Sequence, residues 1–433
     1  MLRQPIRWWA SVAMACAASL PVTPLAQPPL TLAAAQAEAR AHAPEAGELD
    51  ARLRAASAIA GDALRALRTD PVLTGRYGSA PPGDAAGRSW GVGLSWSLDL
   101  SGSWTLRGAS ADAALRQATR QREDGLRALD EAVAVSVADL AFAQRQVNRS
   151  EHIAALLDVA ADAAQRLLGA GQGSQLDVDA ADLDLTAARA SLAQARGARE
   201  RARARLSRLL GRDADAGIVV DDQADPGDVP SPEQLSRLVD GDPRVRAAVA
   251  AVEAARLDLA MNERLLWPTP TFGVGVESLG REIPAAAFTG APPGLRARWT
   301  DRELVATLSL PLPLFDRRRE QRLRARAHTW RADARLATSR ADVLVELTQA
   351  LVDLRSSAEA YRVVSSSETA LDRDYRLVDR ALRAGAIDTV TRTQTIRRLV
   401  EAGARLDAAA RDLRVARARW VRRAGGPGEP HHE

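Results

Sequence analysis

Lysine is missing from this chain: all 59 basic residues are arginine. The 55 acidic residues are interspersed with them and the formal net charge is only +4. Phosphate backbones require a clustered positive excess, and none is present, so nucleic acid is not expected as a partner. Even the densest stretch, Arg199 to Arg205, alternates arginine with Glu200 and alanine as a solvated helix face does. Cysteine occurs once, at Cys16, which excludes an intrachain disulfide and leaves packing to hold the fold. Aromatic residues make up only 4% of a chain that is 46% hydrophobic, the apolar share being mainly Ala, Leu and Val. That balance favours long helices packed through small side chains over a sandwich or a doubly wound sheet. Beyond the N-terminal segment, no stretch supplies eighteen uninterrupted apolar residues, which excludes a membrane-crossing helix. Histidine is scarce and scattered (His42, His152, His328, His431, His432), and no His or Cys pair has metal-ligand spacing. No catalytic constellation assembles, and neither enzyme activity nor a cofactor is expected.

Residues 1–26 read as an export signal, with Arg3 and Arg7 before the apolar run Trp8 to Leu20, and Leu25-Ala26 as a cleavage position before Gln27. Pro21 and Pro24 break the stretch before it could span a bilayer. Cys16 follows Ala13-Met14-Ala15, which resembles a lipoprotein box; Cys16 is either lipidated or removed with the signal.

What the chain does contain is a copy of itself. Trp90, Leu94, Trp96, Leu98 and Leu100 fall onto Leu304, Leu308, Leu310, Leu312 and Leu314 at a constant offset of 214. The same offset carries Ala170-Gly171 onto Ala384-Gly385, Leu176 onto Val390 and Gly211 onto Gly425. Upstream, Pro71-Val72-Leu73 matches Pro270-Thr271-Phe272 at an offset of 199, so the stretch between the matched strands is 15 residues longer in the second repeat, the loop at 79–88 returning at about 281–302. Five segments follow: a signal (1–26), a first repeat (27–211), a linker rich in Asp, Pro and Gly (212–230), a second repeat (231–425) and a tail (426–433). Each repeat reads as helix, strand pair (71–100 and 270–314) and helical hairpin (105–210 and 317–423). The opening helices are expected over 31–69, interrupted near Pro44, and over 231–266, with Pro232 early in the second. In the first hairpin Leu126, Val133, Leu140, Val147, Ala154, Ala161 and Leu168 stand seven apart, with Leu129 and Leu157 on the companion seam. Such spacing specifies helices packed lengthwise in a left-handed coil, and residues 105–168 would reach on the order of 95 Å.

The strands argue against a soluble periplasmic coiled-coil scaffold, which stays as the alternative from another class. From Ser89 to Leu100 every even position (Trp90, Val92, Leu94, Trp96, Leu98, Leu100) is apolar and every odd one is Gly, Ser or Asp. Leu304, Leu308 and Leu310 repeat the pattern more softly, and Phe272, Val274 and Val276 alternate with Gly273 and Gly275. Membrane β-strands show this alternation, with apolar residues toward lipid; Trp90, Trp104, Trp267 and Trp299 stand at strand ends or in adjoining segments, where interfacial aromatics belong. Four strands cannot close a barrel, and open edges in hydrocarbon cost several kcal/mol per unpaired group. Strands of this kind in a membrane therefore require several chains to share one barrel.

The doubled plan, the run Pro-Leu-Pro-Leu-Phe at 311–315 followed by Asp316-Arg317-Arg318, and the tips at 170–178 and 384–390 resemble outer-membrane efflux proteins of the TolC family, most closely its compact, heavy-metal-efflux branch. The resemblance implies a mixed membrane α+β fold. Three chains would share a twelve-stranded barrel in the bacterial outer membrane above a twelve-helix periplasmic tunnel. It also implies passive conduction as the exit duct of a tripartite efflux system. The partners would be outer-membrane lipid, a periplasmic adaptor (membrane fusion) protein and an inner-membrane pump such as an RND transporter. The duct of a type I protein secretion system is the neighbouring reading. Matched residue by residue, Gly171, Gly173, Leu176, Val178, Gly385, Ile387 and Val390 would contact the adaptor. Asp177, Asp388, Thr391 and Gln394 fall at the tunnel aperture. Thr391 and Gln394 are uncharged where family members carry acids, and Ile387 replaces the basic residue of the family's latch, whose acidic partner Asp177 matches. Asp177, Asp179, Asp182 and Asp184 form either an acidic, cation-favouring mouth or a solvated helix face.

Overall fold

The computed structural model describes residues 30–63, 70–79, 88–99, 101–213, 217–220, 235–265, 269–284, 296–311, 319–383 and 389–425. The signal with Cys16, Pro232, Trp267, most of Pro-Leu-Pro-Leu-Phe, the tail and the second tip with Gly385, Ile387 and Asp388 lie outside the described residues.

Two short helices, α1 (Leu32–His42) and α2 (Pro44–Ala63), lead to strands β1 (Val72–Ser79) and β2 (Arg88–Ser97). The first hairpin follows as α3 (Ser103–Gly169) and α4 (Gln175–Leu210). The order then repeats: α5 (Leu235–Gly241), α6 (Pro243–Arg264), β3 (Thr271–Pro284), β4 (Arg296–Ser309), α7 (Arg319–Ser365), α8 (Glu368–Arg383) and α9 (Thr389–Ala424). At 67 residues α3 is about 100 Å long, the spine against which α2, α4, α6 and α9 all pack. Its heptad residues face inward: Val133, Leu140, Val147 and Ala161 are buried, as are Leu129 and Leu157. Small residues such as Ala35, Ala39, Ala141 and Ala202 fill the same core and let the axes approach closely.

Helix ends follow local chemistry. Thr31 caps α1 by accepting from the Ala34 amide at 3.3 Å. Asp242 accepts from the Arg244 amide at 2.8 Å, with Pro243 as the first residue of α6, so the second repeat's opening helix is divided there instead of running unbroken over 231–266. Gly211 ends α4 at φ 70°, with its amide on the Arg208 carbonyl and the Arg212 amide on that of Ser207. A Cβ at Gly211 would sit 2.6 Å from the His42 carbonyl oxygen, so glycine also lets α4 end against α1.

Two expectations need correction. The second long helix is not continuous: it breaks at Ser366-Ser367, where Ser365 and Ser366 turn their hydroxyls onto the Arg362 and Val363 carbonyls at 3.2 and 2.7 Å and compete with helix bonding. Its repeat partner α3 has no such serine run and passes the equivalent place unbroken. The second hairpin loop is also shorter than 281–302, because β3 and β4 continue pairing out to Pro284 and Arg296. That register sets Glu282 opposite Arg298, and the extra length lengthens the ribbon.

The four strands form one antiparallel sheet in the order β1-β2-β3-β4. The strand pairs of the two repeats are thus joined through β2 and β3, with Val92 opposite Val276 and Leu94 opposite Val274. At the foot of β2, Asp99 accepts from the Ser101 amide at 3.0 Å and from the hydroxyl of buried Ser103, fixing the corner where strand becomes α3.

Candidate membrane ribbon and tunnel tip

The register sorts the sheet into two chemically different faces. Leu73, Leu94, Val274 and Ala306 form one row; Val92, Val276 and Leu304 form the next, with Gly75 at its edge. Trp96, Phe272 and Leu308 form the row nearest the helices. These side chains are all exposed, Leu73 and Leu304 by 72% and 78%. The opposite face is mostly small and polar: Thr74, Gly93, Ser95, Ser97, Thr271, Gly273, Gly275 and Thr307, interrupted by Val72 and Val305, with Arg76, Glu277 and Glu303 at one level. The Arg76 guanidinium lies 3.5 Å from the Glu277 carboxylate. Gly275 permits close approach of β3 to β2, since a Cβ there would stand 3.0 Å from the Val92 carbonyl oxygen. Among the described residues the outer edges of β1 and β4 have no strand partner.

At the far end of the helices, α3 closes in a Schellman motif: Gly171 has φ 71°, its amide bonds the Leu168 carbonyl at 3.0 Å and the Gln172 amide that of Leu167 at 2.9 Å. Ser174 and Asp177 then form a reciprocal capping box that starts α4. Two turns further, α4 is linked to α9 through Asp184. Arg392 is buried at 5% exposure, 3.8 Å from the Asp184 carboxylate, to which the Thr393 hydroxyl donates at 3.3 Å. From there a groove of about 770 Å³ runs between α4 and α9 over α3, from Asp184 to Asp407.

The sequence model of the outer membrane efflux protein family matches residues 31–212 and 235–426, nearly the whole of both repeats. The chain belongs to that family. The outer-membrane channel OprN is similar over 91% of this chain and 90% of its own, at 22% identity and a TM-score of 0.69. CusC is similar over 91% and 92% (16% identity, TM-score 0.71), and the Campylobacter jejuni outer-membrane channel CmeC over 93% and 87% (13% identity, TM-score 0.73). No curated protein sequence matches. The chain therefore has the fold of these channels, a helical tunnel continued by β-barrel strands, and is an outer-membrane efflux protein with its helices on the periplasmic side. Among the described residues no helix is long and apolar enough to cross a membrane, and no group of three His, Cys, Asp or Glu could hold a metal ion.

The structure redistributes several residues expected at functional positions. Trp90, Val92, Leu94, Trp96, Phe272, Val274, Val276, Leu304 and Leu308 share the exposed apolar face. Leu98 lies one residue past the end of β2, half-buried, its amide bonded to the Pro270 carbonyl at 2.9 Å in continuation of the β2–β3 pairing. Leu310 is exposed one residue past the end of β4. At the tip Gly171 and Leu176 are exposed and Gly173 half-buried, whereas Val178 is buried beside Ala181 and Leu185 and offers no contact surface. Asp177 is committed to the capping box, which its position as first-turn acid on α4 explains. Thr391 and Gln394 are exposed on α9.

Buried charge was the feature least visible beforehand. Arg149 on α3 bonds Asp407 on α9 at 2.8 Å, in space left by Gly403, where a Cβ would fall 1.6 Å from the guanidinium. Burial alone would lower the Arg149 pKa; the Asp407 charge and hydrogen bond outweigh it and hold it above its usual value. Nearer the sheet, Arg244 bridges Asp242 and Glu346, Arg423 also reaches Glu346 at 3.0 Å, and Arg422 pairs with Glu131 at 2.7 Å. Burial pushes the Asp124 carboxyl up there, against the pull of Arg422 and Arg244. These pairs join α3 of the first repeat to α9 of the second, and α6 and α9 to α7.

Proposed function

We propose that this protein is the exit duct of a tripartite efflux system, a homotrimer that passively conducts substrate from a periplasmic adaptor and an inner-membrane pump, such as an RND transporter, to the exterior. The observation that carries the reading is the four-stranded ribbon, apolar on one exposed face and unpaired at both edges. Joining β4 of one copy to β1 of the next satisfies those edges, and three copies give twelve strands, enough to close a barrel. The helices support the same arrangement. On α7, Leu323 and Trp330, and then Val345 and Val352, stand seven apart and exposed. These are seams without partners in one chain, and a neighbouring copy supplies them.

The tip around Gly171, Gly173 and Leu176, with Gly385, Ile387 and Val390, is the surface offered to the adaptor, and Thr391 and Gln394 with Asp388 line the aperture. Thr391 and Gln394 are polar and uncharged, so of these three residues only Asp388 brings charge to the mouth. Crosslinkers placed at Leu176 and Val390 should capture the adaptor in cells while Arg substitutions there abolish efflux and leave trimers intact. Unchanged efflux with both positions altered would sink the docking assignment.

A further inference from the structure

The helices lie on the periplasmic side, so the strand ends farthest from them, toward the β1–β2 and β3–β4 turns, reach the outer leaflet. Along the exposed apolar face the chemistry changes toward that end. The row Leu73, Leu94, Val274 and Ala306 is followed by Gly75, Val92, Val276 and Leu304, and then by Tyr77, Trp90, Ser278 and Arg302. Tyr77 and Trp90 are exposed aromatics, as expected where hydrocarbon gives way to headgroups. Arg302 is exposed in their row. Beyond it, the register positions of the same face carry Arg88 on β2 and Arg298 and Arg296 on the extended part of β4, with one acid, Glu282, opposite Arg298. The opposite face over this stretch carries Arg76 and Arg281 with Glu277, Asp301 and Glu303. A chain of nearly balanced charge is thus sorted here, arginine in excess outward and acid in excess inward. At the helix end of the outward face Trp96, Phe272 and Leu308 carry no charge.

We propose that Arg88, Arg296, Arg298 and Arg302 form a binding site for the phosphate groups of outer-leaflet glycolipid. A guanidinium presents a planar fork of donors that takes a phosphate through two hydrogen bonds, and basic residues gather where a membrane surface is anionic. The acyl chains of the same lipid lie on the apolar rows directly below, against Val92 and Leu304. Arg302 and Arg298 are four residues apart on one strand, about 13 Å, so a headgroup with two phosphates separated by that distance engages both. The site also gives the longer second strand pair a role, because Arg296 and Arg298 belong to the part of the ribbon that β1 and β2 lack. The inference rests on the assignment of the sheet's faces. It does not depend on what the duct conducts.

The probe is bisphosphorylated lipid A, titrated in detergent micelles against the full-length purified protein and read by native mass spectrometry. Replacing Arg88, Arg296, Arg298 and Arg302 together with Gln should weaken binding about tenfold or more, and Arg76→Gln/Arg281→Gln should change it by less than about twofold. Lipid A stripped of both phosphates should bind the wild type as weakly as the bisphosphorylated form binds the fourfold variant. Inorganic phosphate at matched ionic strength should leave the lipid in place; displacement would assign the arginines to free phosphate and overturn the proposal. Wild-type affinity in the fourfold variant, or equal binding of the dephosphorylated lipid, would overturn it as well. Loss confined to Arg76→Gln/Arg281→Gln would overturn the assignment of faces along with the site. If the fourfold variant yields no SDS-resistant oligomer, Arg298→Gln/Arg302→Gln serves in its place, with an expected loss of about threefold; unchanged binding there counts against the site equally.

Discussion

Leu94 and Val274 are cross-strand partners at the centre of the exposed apolar face, 49% and 58% exposed in the single chain. Replacing both with Arg places two guanidinia per chain at lipid-facing positions. An Arg on the lipid face near the bilayer midplane costs about 2–4 kcal/mol, so three copies carrying two each lose about 12–24 kcal/mol per assembly. That exceeds or matches the whole stability of an ordinary domain, about 5–15 kcal/mol. The control lies one residue away. Ser95 and Thr307 flank Gly273 on the opposite face, and Arg at both should leave assembly within a factor of a few of wild type. The assay is the yield of SDS-resistant oligomer in the outer-membrane fraction. Equal yields from the Leu94/Val274 and Ser95/Thr307 variants would refute the assignment of faces, whatever the barrel's size.

Three further outcomes follow from the helical part. Asp407→Asn leaves the Arg149 guanidinium buried without its counter-charge and should lower stability by about 3 kcal/mol in denaturant unfolding; an unchanged midpoint would mean the pair is inert. Burial raises the folded-state pKa of Asp124, so its ionised form opposes folding at neutral pH and the penalty fades as pH falls through the folded value. Asp124→Asn should therefore stabilise at pH 7 and lose that advantage on acidification; a gain that grew at low pH would reverse the sign of this reasoning. Gly211→Ala must place a Cβ against the His42 carbonyl at a positive φ and should cost about 1–2 kcal/mol or more, read from thermal unfolding, whereas no loss would show that α1 and α4 are free to part.

Much of this was legible in the sequence because two periodicities carry it. The seven-residue spacing from Leu126 to Leu168 marks the face of α3 that packs inward, and strict alternation from Trp90 to Trp96 marks the face of β2 that does not. The repeat offset located the first tip and the C-terminal ends of α4 and α9. What escaped were features that depend on which atoms meet across the bundle. Arg149 and Asp407 are 258 positions apart, and nothing in either neighbourhood announces the other. The break at Ser366-Ser367 arises from hydroxyls competing for carbonyls, a local signal readable from three consecutive serines. The role of Asp177 was likewise present in Ser174-Gln175-Leu176-Asp177, which has the spacing of a capping box.

The arrangement stands or falls on how many chains complete the ribbon. Native mass spectrometry of the protein extracted from outer membranes in detergent measures this directly: the account predicts a single species at three times the mass of the mature chain. A monomer that keeps its fold in buffer without detergent would contradict it, because the apolar face and both sheet edges would then have to be tolerated in water.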